Sequence, residues 1–491
     1  MKSVKNLLVP FIILVALSLF AAVYFIADSI SKKKVDENLE GTFTVFSCST
    51  SEITSISVRN NESGYTSVVK CSNDGSGNTV CEFAGDDYNA SEKYSQSKLM
   101  SFVNAFSNFY SGNKIGAEGR LADFGLESPR FRITIETVSG TTNILMGNKS
   151  PDNQYCYVCV EGTTDVYTVE VGKENYAECR GIDFFEPLSI KIDYNEVKTV
   201  HFDRKTDGLT LDANVSVNDN GMADFELYSP YVHGTSGYFG TMFDTLSNIS
   251  IVDFVEIGAA ELKEYGLDVP AYHFVFNMTN GSKTEFFFSK PFSGYYYGYI
   301  NGTNKYFKLS EFQLQGLDIA ETVLIDPYVC YCYAKDYTTI IGTYKDKSFK
   351  FELDIPSGNS IIDDESTVTL DGRNAKITDS VGRAYCSVLF ESIACIKIGG
   401  VEVAEKTKPS SEAELTLTFI DKNYVTTVYE FYPKGTDSYY VFKNGEYMNF
   451  FVYASEIFND GGSDTYNYGY WRAYELLNQA ITDNMNGIYD L

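Results

Sequence analysis

The chain has 491 residues and a formal net charge of −27 at pH 7, and 44% of its residues are apolar and 21% charged. This length exceeds a single ordinary core, so about three domains are expected, and the composition excludes general disorder. A surface this acidic repels phosphate backbones, which excludes nucleic acid as a partner. Aromatic residues make up 15% of the chain, mostly Tyr and Phe, which favours β-strands.

The first predicted element is an apolar segment that begins at Leu7, ends at Ala27 and contains no charge. As a helix it would be about 30 Å long, the hydrocarbon thickness of a bilayer. We interpret residues 7–27 as an uncleaved transmembrane signal anchor between a cytoplasmic tail (1–6) and a stalk (28–44). Cleavage near Ala21 is the alternative, and it too places the remaining chain outside the cytoplasm. The flanking lysines nearly balance, so the positive-inside rule alone does not fix the orientation.

Beyond the stalk, the chain repeats one phrase. "LADFGLESPRFRITIE" begins at Leu121, and "LKEYGLDVPAYHFVFN" begins at Leu262, 141 residues later. Other landmarks recur in the same order, and a fainter third series has "KPSSEAE" in place of the Gly-Leu phrase. Recurrence at a fixed period indicates tandem units. We therefore predict three repeats, which are residues 45–192, 193–334 and 335–491, the last divergent and ending in a C-terminal helix.

Each repeat is predicted to hold an antiparallel β-meander and hairpin sheet packed with one amphipathic helix, an α+β fold. Asn-Gly and Asp-Gly turns join the first strands. The helices are marked by apolar residues at helical spacing, which are Leu99, Phe102, Val103, Phe106 and Phe109 in the first repeat, Phe239, Met242, Phe243, Leu246 and Ile249 in the second, and Val381, Tyr385, Val388 and Leu389 in the third.

The Gly-Leu phrase is interpreted as a device that ends a helix and starts a strand. Residues 121–124 can form one helical turn, and Gly125 follows where a left-handed residue ends a helix. Pro129 cannot continue a helix and holds its predecessor extended. The strand after it is predicted to place alternate residues on one face, which are Phe131, Ile133 and Ile135 in the first repeat and Tyr272, Phe274 and Phe276 in the second.

The uncharged leader, the "DFGLESP" and "EYGLDVP" phrases, the strand-rich stretch after the first phrase, and the closing "GID" (181–183) and "GLD" (316–318) resemble the bacterial family called domain of unknown function 4340, over roughly residues 97–326. The resemblance implies an anchored, extracytoplasmic protein with an accessory or scaffold role, often beside ABC-type transport systems. It attaches no catalytic residue to the chain. The family's Gly-polar-Lys turn is kept at Gly147, Asn148 and Lys149, and the second repeat lacks it.

Sites for catalysis, a cofactor or a metal are not recognised in the sequence. His201, His233 and His273 lack partners at ligand spacing and are interpreted as structural. The cysteines also fit a core better than a metal site. Cys156 and Cys159 are predicted to lie on opposite faces of a strand, whereas Cys330 and Cys332 would share a face too far apart to bond. Cys71 and Cys81 are predicted to face each other across a hairpin, within reach of a disulfide.

Two aromatic clusters are candidate interaction surfaces. The first consists of Tyr295, Tyr296, Tyr297 and Tyr299, and the second consists of Tyr470 and Trp471. Core packing is the competing interpretation of both clusters. We expect a non-enzymatic accessory, scaffold or binding module without a cofactor, whose partners are the membrane and envelope or transporter proteins. A glycan-binding or cell-wall-binding protein is the alternative, and an enzyme with an unrecognised carboxylate site is a second alternative.

The anchor generates a topology prediction. Protease added to intact protoplasts should digest the chain after residue 44, because the large segment is expected outside the membrane. Deletion of residues 1–27 should release the remainder from the membrane fraction. Immunoblotting of fractions checks both outcomes, and full protection from protease in sealed cells would contradict the orientation.

Overall fold

The computed structural model describes residues 42–116, 120–356, 361–379, 382–461 and 467–485. The predicted anchor at residues 7–27 lies outside them, and no helix within them is both long and apolar enough to span a bilayer. The chain divides into two compact units. The first runs to Leu188 and also takes Val252–Glu256, and the second comprises Ser189–Ile251 and Ile257–Leu491. The predicted repeat boundary at residue 192 lies near this division, whereas the one at residue 334 lies inside the second unit.

The first unit contains strands, two helices and short 3-10 turns. In chain order these are β1 (Phe43–Ser47), β2 (Ile53–Asn60), β3 (Thr66–Asn73), β4 (Thr79–Phe83), α1 (Gln96–Ser107), β5 (Asn108–Ser111), β6 (Lys114–Gly116), a 3-10 turn (Leu121–Phe124), β7 (Phe131–Thr137), β8 (Gly140–Lys149), β9 (Tyr155–Val160), β10 (Asp165–Glu170) and α2 (Gly172–Ala177).

The next part of the chain begins the second unit. Its elements are β11 (Leu188–Lys191), β12 (Val197–Arg204), β13 (Leu209–Val217), β14 (Ala223–Ser229), β15 (His233–Gly234), α3 (Gly237–Ser247), β16 (Asn248–Ile251), then β17 (Phe254–Val255), which belongs to the first unit, then α4 (Ala259–Glu264), β18 (Tyr272–Met278), β19 (Lys283–Phe288), β20 (Tyr295–Ile300), β21 (Tyr306–Ser310) and α5 (Glu321–Leu324).

The remaining elements complete the second unit. They are β22 (Tyr337–Tyr344), β23 (Lys347–Asp354), β24 (Thr367–Leu370), β25 (Arg373–Asn374), α6 (Tyr385–Ala394), β26 (Gly400–Val401), β27 (Leu415–Asp421), β28 (Thr426–Pro433), β29 (Ser438–Lys443), β30 (Glu446–Tyr453), α7 (Ser455–Phe458) and α8 (Tyr470–Met485).

Three large antiparallel sheets share one connection pattern. Sheet A has the order β4-β3-β2-β7-β8-β9-β10-β6, sheet B has β15-β14-β13-β12-β18-β19-β20-β21, and sheet C has β25-β24-β23-β22-β27-β28-β29-β30-β26. In each sheet, the strand that starts the first hairpin (β2, β12 or β22) lies beside the strand that starts the meander (β7, β18 or β27). The helix lies between these strands in sequence. The α+β class is therefore confirmed.

A helix at the place that the apolar spacing predicted covers the inner face of each sheet, and α8 packs on the core of sheet C together with α6. In α1, Leu99, Phe102, Val103 and Phe106 are fully buried, and the hydroxyl of Ser95 caps the first turn. The last predicted residue of this series, Phe109, is also buried but lies in β5. α3 and Ile249 in β16 repeat this arrangement. In the third case α6 begins at Tyr385, and the predicted Val381 lies outside the described residues.

The Gly-Leu phrase forms the predicted stop-and-start device. Gly125 has φ 68°, and the backbone N–H of Leu126 donates to the oxygen of Leu121 at 2.9 Å. The second phrase repeats this geometry, with φ 69° at Gly266 and a bond of 2.8 Å from the N–H of Leu267 to the oxygen of Leu262. The residues predicted to share one face of the strands that follow are all buried, namely Phe131, Ile133, Ile135, Tyr272, Phe274 and Phe276, and Val275 is buried as well.

The Gly-polar-Lys motif, expected as a turn, lies at the end of strand β8 and supports this device. A Cβ on Gly147 would lie 2.2 Å from the backbone oxygen of Phe124, so only glycine lets the strand approach the phrase. Lys149 is anchored elsewhere, because its Nζ lies 2.8 Å from the buried carboxylate of Glu174, which also pairs with Arg130. The motif therefore has a packing role in sheet A.

This close approach predicts the effect of one methyl group. Gly147→Ala should lower the free energy of unfolding by about 1–3 kcal/mol, because overpacking forces the backbone apart. Gly75→Ala is the matched control, since a Cβ there meets nothing within 4 Å, and it should change stability by less than about 0.5 kcal/mol. Urea denaturation measures both, and equal effects would contradict the packing role.

Candidate functional site

The Gly-Leu segments close part of the outer face of sheets A and B. Phe124 packs on Tyr157 of β9, with ring centroids 4.8 Å apart. Tyr265 stacks on Tyr297 of β20 at 4.1 Å. β9 and β20 hold the same place in their sheets. The aromatic residue before each Gly-Leu therefore covers an outer-face tyrosine, a role in addition to ending the helix.

Sheet C closes its outer face with lysines. Lys406 lies over the ring of Tyr440 at 4.4 Å, and Lys434 lies over the ring of Phe451 at 3.6 Å. Both lysines also bind the carboxylate of Glu402, at 2.8 and 2.5 Å respectively. These hydrogen bonds, first from Lys406 and then from Lys434, lower the pKa of Glu402 to about 2. The segment around Glu402 thus serves as a charged cover over aromatic rings.

Sheet B carries a row of rings that no comparable segment covers within the described residues. We call it the ring ladder, and its members are Tyr306, Tyr299, Phe287, His273 and His201. Successive ring centroids are 5.8, 4.8, 4.2 and 5.6 Å apart. All five side chains are partly exposed. The ladder crosses five neighbouring strands, so it forms a continuous stripe on the outer face.

Strand register explains how the ladder forms. Tyr299 is directly opposite both Tyr306 and Phe287, and Phe287 is directly opposite His273. Directly opposed residues lie about 5 Å apart, the distance at which rings can stack. The His273 and Phe287 rings are 7° from parallel, and those of Phe287 and Tyr299 are 14° from parallel. Because these faces contact neighbouring rings, the ladder presents ring edges to the solvent.

Charged groups lie at the histidine end of the ladder. Nδ1 of His201 lies 2.8 Å from Oδ1 of Asp212. Nε2 of His273 is buried without a hydrogen-bond partner, 3.5 Å from a Glu285 oxygen, which Lys283 also contacts at 2.9 Å. Burial, and then repulsion from His201, lowers the pKa of His273, although Glu285 opposes this shift. The stripe is therefore aromatic at one end and ionisable at the other.

The other sheets carry different residues at the equivalent places. Position for position, Leu145 in sheet A and Glu430 in sheet C hold the place of Phe287. Arg132 and Thr416 hold the place of His273. Aromatic rings at these two positions are therefore a property of sheet B and are not required by the common strand order.

The predicted aromatic surfaces need correction. Tyr296 is 6% exposed because it lies in the inner core, and Tyr297 is 9% exposed because Tyr265 stacks on it. Tyr470 and Trp471 are 0% and 3% exposed, since α8 packs its apolar face on the core of sheet C. These four side chains form no open surface. Tyr295 and Tyr299 remain partly exposed, and only Tyr299 belongs to the ladder.

The cysteines fall mostly where the strand periodicity predicted. Cys156 joins the inner core of sheet A and Cys159 the small outer cluster, so they lie on opposite faces. Cys330 and Cys332 do not lie in a strand, which corrects that prediction; a bend places Cys330 against the carbonyl oxygen of Ile393. Cys71 and Cys81 pair directly, as free thiols. Their disulfide stays a prediction.

Clefts elsewhere are lined by side chains with structural partners. A cleft of about 710 Å³ in the second unit includes His233, whose Nε2 lies 2.9 Å from the carbonyl oxygen of Asp326. A cleft of about 690 Å³ in the first unit includes Lys173, which donates to the carbonyl oxygens of Ala105 and Asn108 at the end of α1. Burial lowers the pKa of Lys173 to about 8. Among the described residues, no three His, Cys, Asp or Glu side chains are placed to hold a metal.

Residues 88–224 match the model of a protein family described as Domain of unknown function (DUF4340), which confirms the family resemblance. The match contains the first Gly-Leu phrase but not the second. The matched segment is therefore shorter than the resemblance over roughly residues 97–326 that the sequence suggested. No curated protein and no solved structure matches the chain.

The partly buried imidazole of His273 predicts a pH dependence. Its folded-state pKa is lowered from 6.5, so the unfolded chain binds this proton more readily and stability falls as the pH decreases through 6.5. His273→Gln should reduce the loss of stability between pH 7.5 and pH 5.5. Urea denaturation at both pH values, with the wild-type chain as reference, measures the difference. An unchanged loss in the variant would contradict the role of His273.

Proposed function

We propose that the chain is a non-enzymatic accessory module of the cell envelope, tethered by residues 7–27 and extracytoplasmic beyond them, which binds a partner protein through the ring ladder. The family resemblance suggests an envelope or transporter protein as the partner, including one of an ABC-type transport system. The ladder is the observation that carries the proposal.

The chemistry of the ladder favours a protein partner. Tyr299, Phe287 and Tyr306 offer partly exposed apolar edges, and aromatic residues are enriched where proteins meet. His201 and Asp212, with Glu285 nearby, add polar groups at one end. A partner with an apolar strip flanked by basic side chains would complement both ends. Burial of ring edges would then supply affinity, and the charges would supply orientation.

We also infer that sheets A, B and C are three copies of one duplicated unit. Their common strand order and the equivalent positions of α1, α3 and α6 support this inference. The closing contacts on Tyr157, Tyr297 and Tyr440 also occupy equivalent strands. Copies of one unit can diverge on their outer faces while the inner faces keep the fold.

A glycan-binding or wall-binding role is the alternative function. Sugar platforms expose aromatic faces, whereas the faces of Phe287 and His273 stack on each other. Among the Tyr and Phe rings of the ladder, only Tyr306, at its end, has a ring neighbour on one side alone, so the surface available for a sugar is smaller than the surface available for a protein. An enzyme with a carboxylate site, the second alternative, has no specific observation in its favour among the described residues.

Photocrosslinking in intact cells tests the protein-binding proposal. A photoreactive amino acid at Phe287 should capture an envelope protein, and the same group at Thr134 on the outer face of sheet A should not. Phe287→Lys should reduce partner recovery at least tenfold, because a charge replaces the central ring, whereas Thr134→Lys should leave it unchanged. Circular dichroism checks that both variants fold.

Equal capture from both positions would contradict the proposal. Retention of the purified chain on cell-wall polymers, without any protein adduct from Phe287, would favour the alternative function instead.

A further inference from the structure

The β3–β4 hairpin sets two sulfur atoms side by side. Its turn closes between Asp74 and Asn78, with hydrogen bonds from Asp74 N–H to Asn78 O at 2.8 Å and from Gly77 N–H to Asp74 O at 3.0 Å. This turn sets Cys71 directly opposite Cys81, with the two Sγ atoms 3.4 Å apart.

The backbone of Cys81 shows which kind of cross-strand pair this is. Its N–H donates to Oε1 of Gln96 at 2.9 Å, and its carbonyl accepts from Nε2 of Gln96 at 2.6 Å. Both groups therefore point away from β3, so Cys71 and Cys81 form a non-hydrogen-bonded pair. Opposed Cα atoms are about 4.5 Å apart in such a pair, within the range of roughly 4.4–6.8 Å found in disulfides.

We propose that Cys71 and Cys81 are a redox pair that oxidises to a disulfide across the β3–β4 hairpin. The sulfur atoms need to approach from 3.4 Å to about 2.05 Å, which small side-chain rotations can supply. The inference is independent of the ring ladder, which lies in the other unit.

The oxidant is a disulfide-containing thiol exchange partner, RSSR. Cys71, the more exposed thiol, attacks one sulfur of RSSR and releases one RSH. The sulfur of Cys81 then attacks Cys71 in the mixed disulfide and releases the second RSH. Two thiol protons and two electrons pass to RSSR, and one S–S bond forms.

Neighbouring cysteines provide matched controls. Cys156 lies in the same inner core and its thiol contacts the Glu174 carboxylate at 3.8 Å. Cys159 lies on the other face of sheet A. Both cysteines lie in β9, which β2, β7 and β8 separate from the β3–β4 hairpin, so their substitution should leave the pair intact.

Oxidised glutathione and mass spectrometry test the proposal on the full chain. The reduced protein is incubated with the oxidant, unfolded in urea with N-ethylmaleimide, and digested. The peptides of Cys71 and Cys81 should appear linked and two hydrogens lighter, and both should carry maleimide only after reduction. Cys156→Ser should leave the link unchanged, and Cys71→Ser should abolish it.

Two results would overturn the proposal. One is full maleimide labelling of Cys71 and Cys81 under conditions that oxidise a dithiol reference peptide. The other is a link from either residue to a different cysteine. Neither result bears on partner capture by the ring ladder, so the two proposals fail separately.

Discussion

The structure depends on the burial of one face of each antiparallel sheet beneath helices, α1 on sheet A, α3 on sheet B, and α6 with α8 on sheet C. A sheet built from alternating residues has one apolar face, and that face is stable only when another element removes it from water. Phe102 and Phe106 of α1 do this for sheet A, and Phe239 and Phe243 of α3 are buried in the same manner in the second unit. Full burial of one aromatic side chain contributes about 1.5–3 kcal/mol, so each helix adds a substantial part of its sheet's stability.

With the inner faces committed to the core, the outer faces are where the sheets differ. Sheet A places Leu145 and Arg132 there, and sheet C places Glu430 beneath a lysine-bearing segment. Sheet B places stacked rings at the same register positions. Outer-face residues do not determine which strands pair, so they are free to acquire binding chemistry without loss of the fold.

Local chemistry made much of this fold predictable. Helical spacing located α1 and α3, and the glycine and proline of the repeated phrase predicted a helix end and the strand after it. The ladder was harder to predict, because "KTEFFF" has apolar residues on both faces and its alternation cannot say which face is open. Phe287 became a candidate only when the register placed it beside His273. Tyr470 and Trp471 stayed open between surface and core for a related reason, since the covering contact comes from sheet C, far away in sequence.

The side-chain amide of Gln96 has a consequence for how copies of this molecule associate with one another. β4 is an edge strand of sheet A. The unpaired N–H and C=O groups of an edge strand can pair with strands of neighbouring molecules and form open-ended polymers. Gln96 occupies the outward N–H and C=O of Cys81. One residue at the start of α1 thereby blocks strand addition at the middle of the edge strand β4. The helix that covers the core of sheet A also hinders the growth of fibres from this edge.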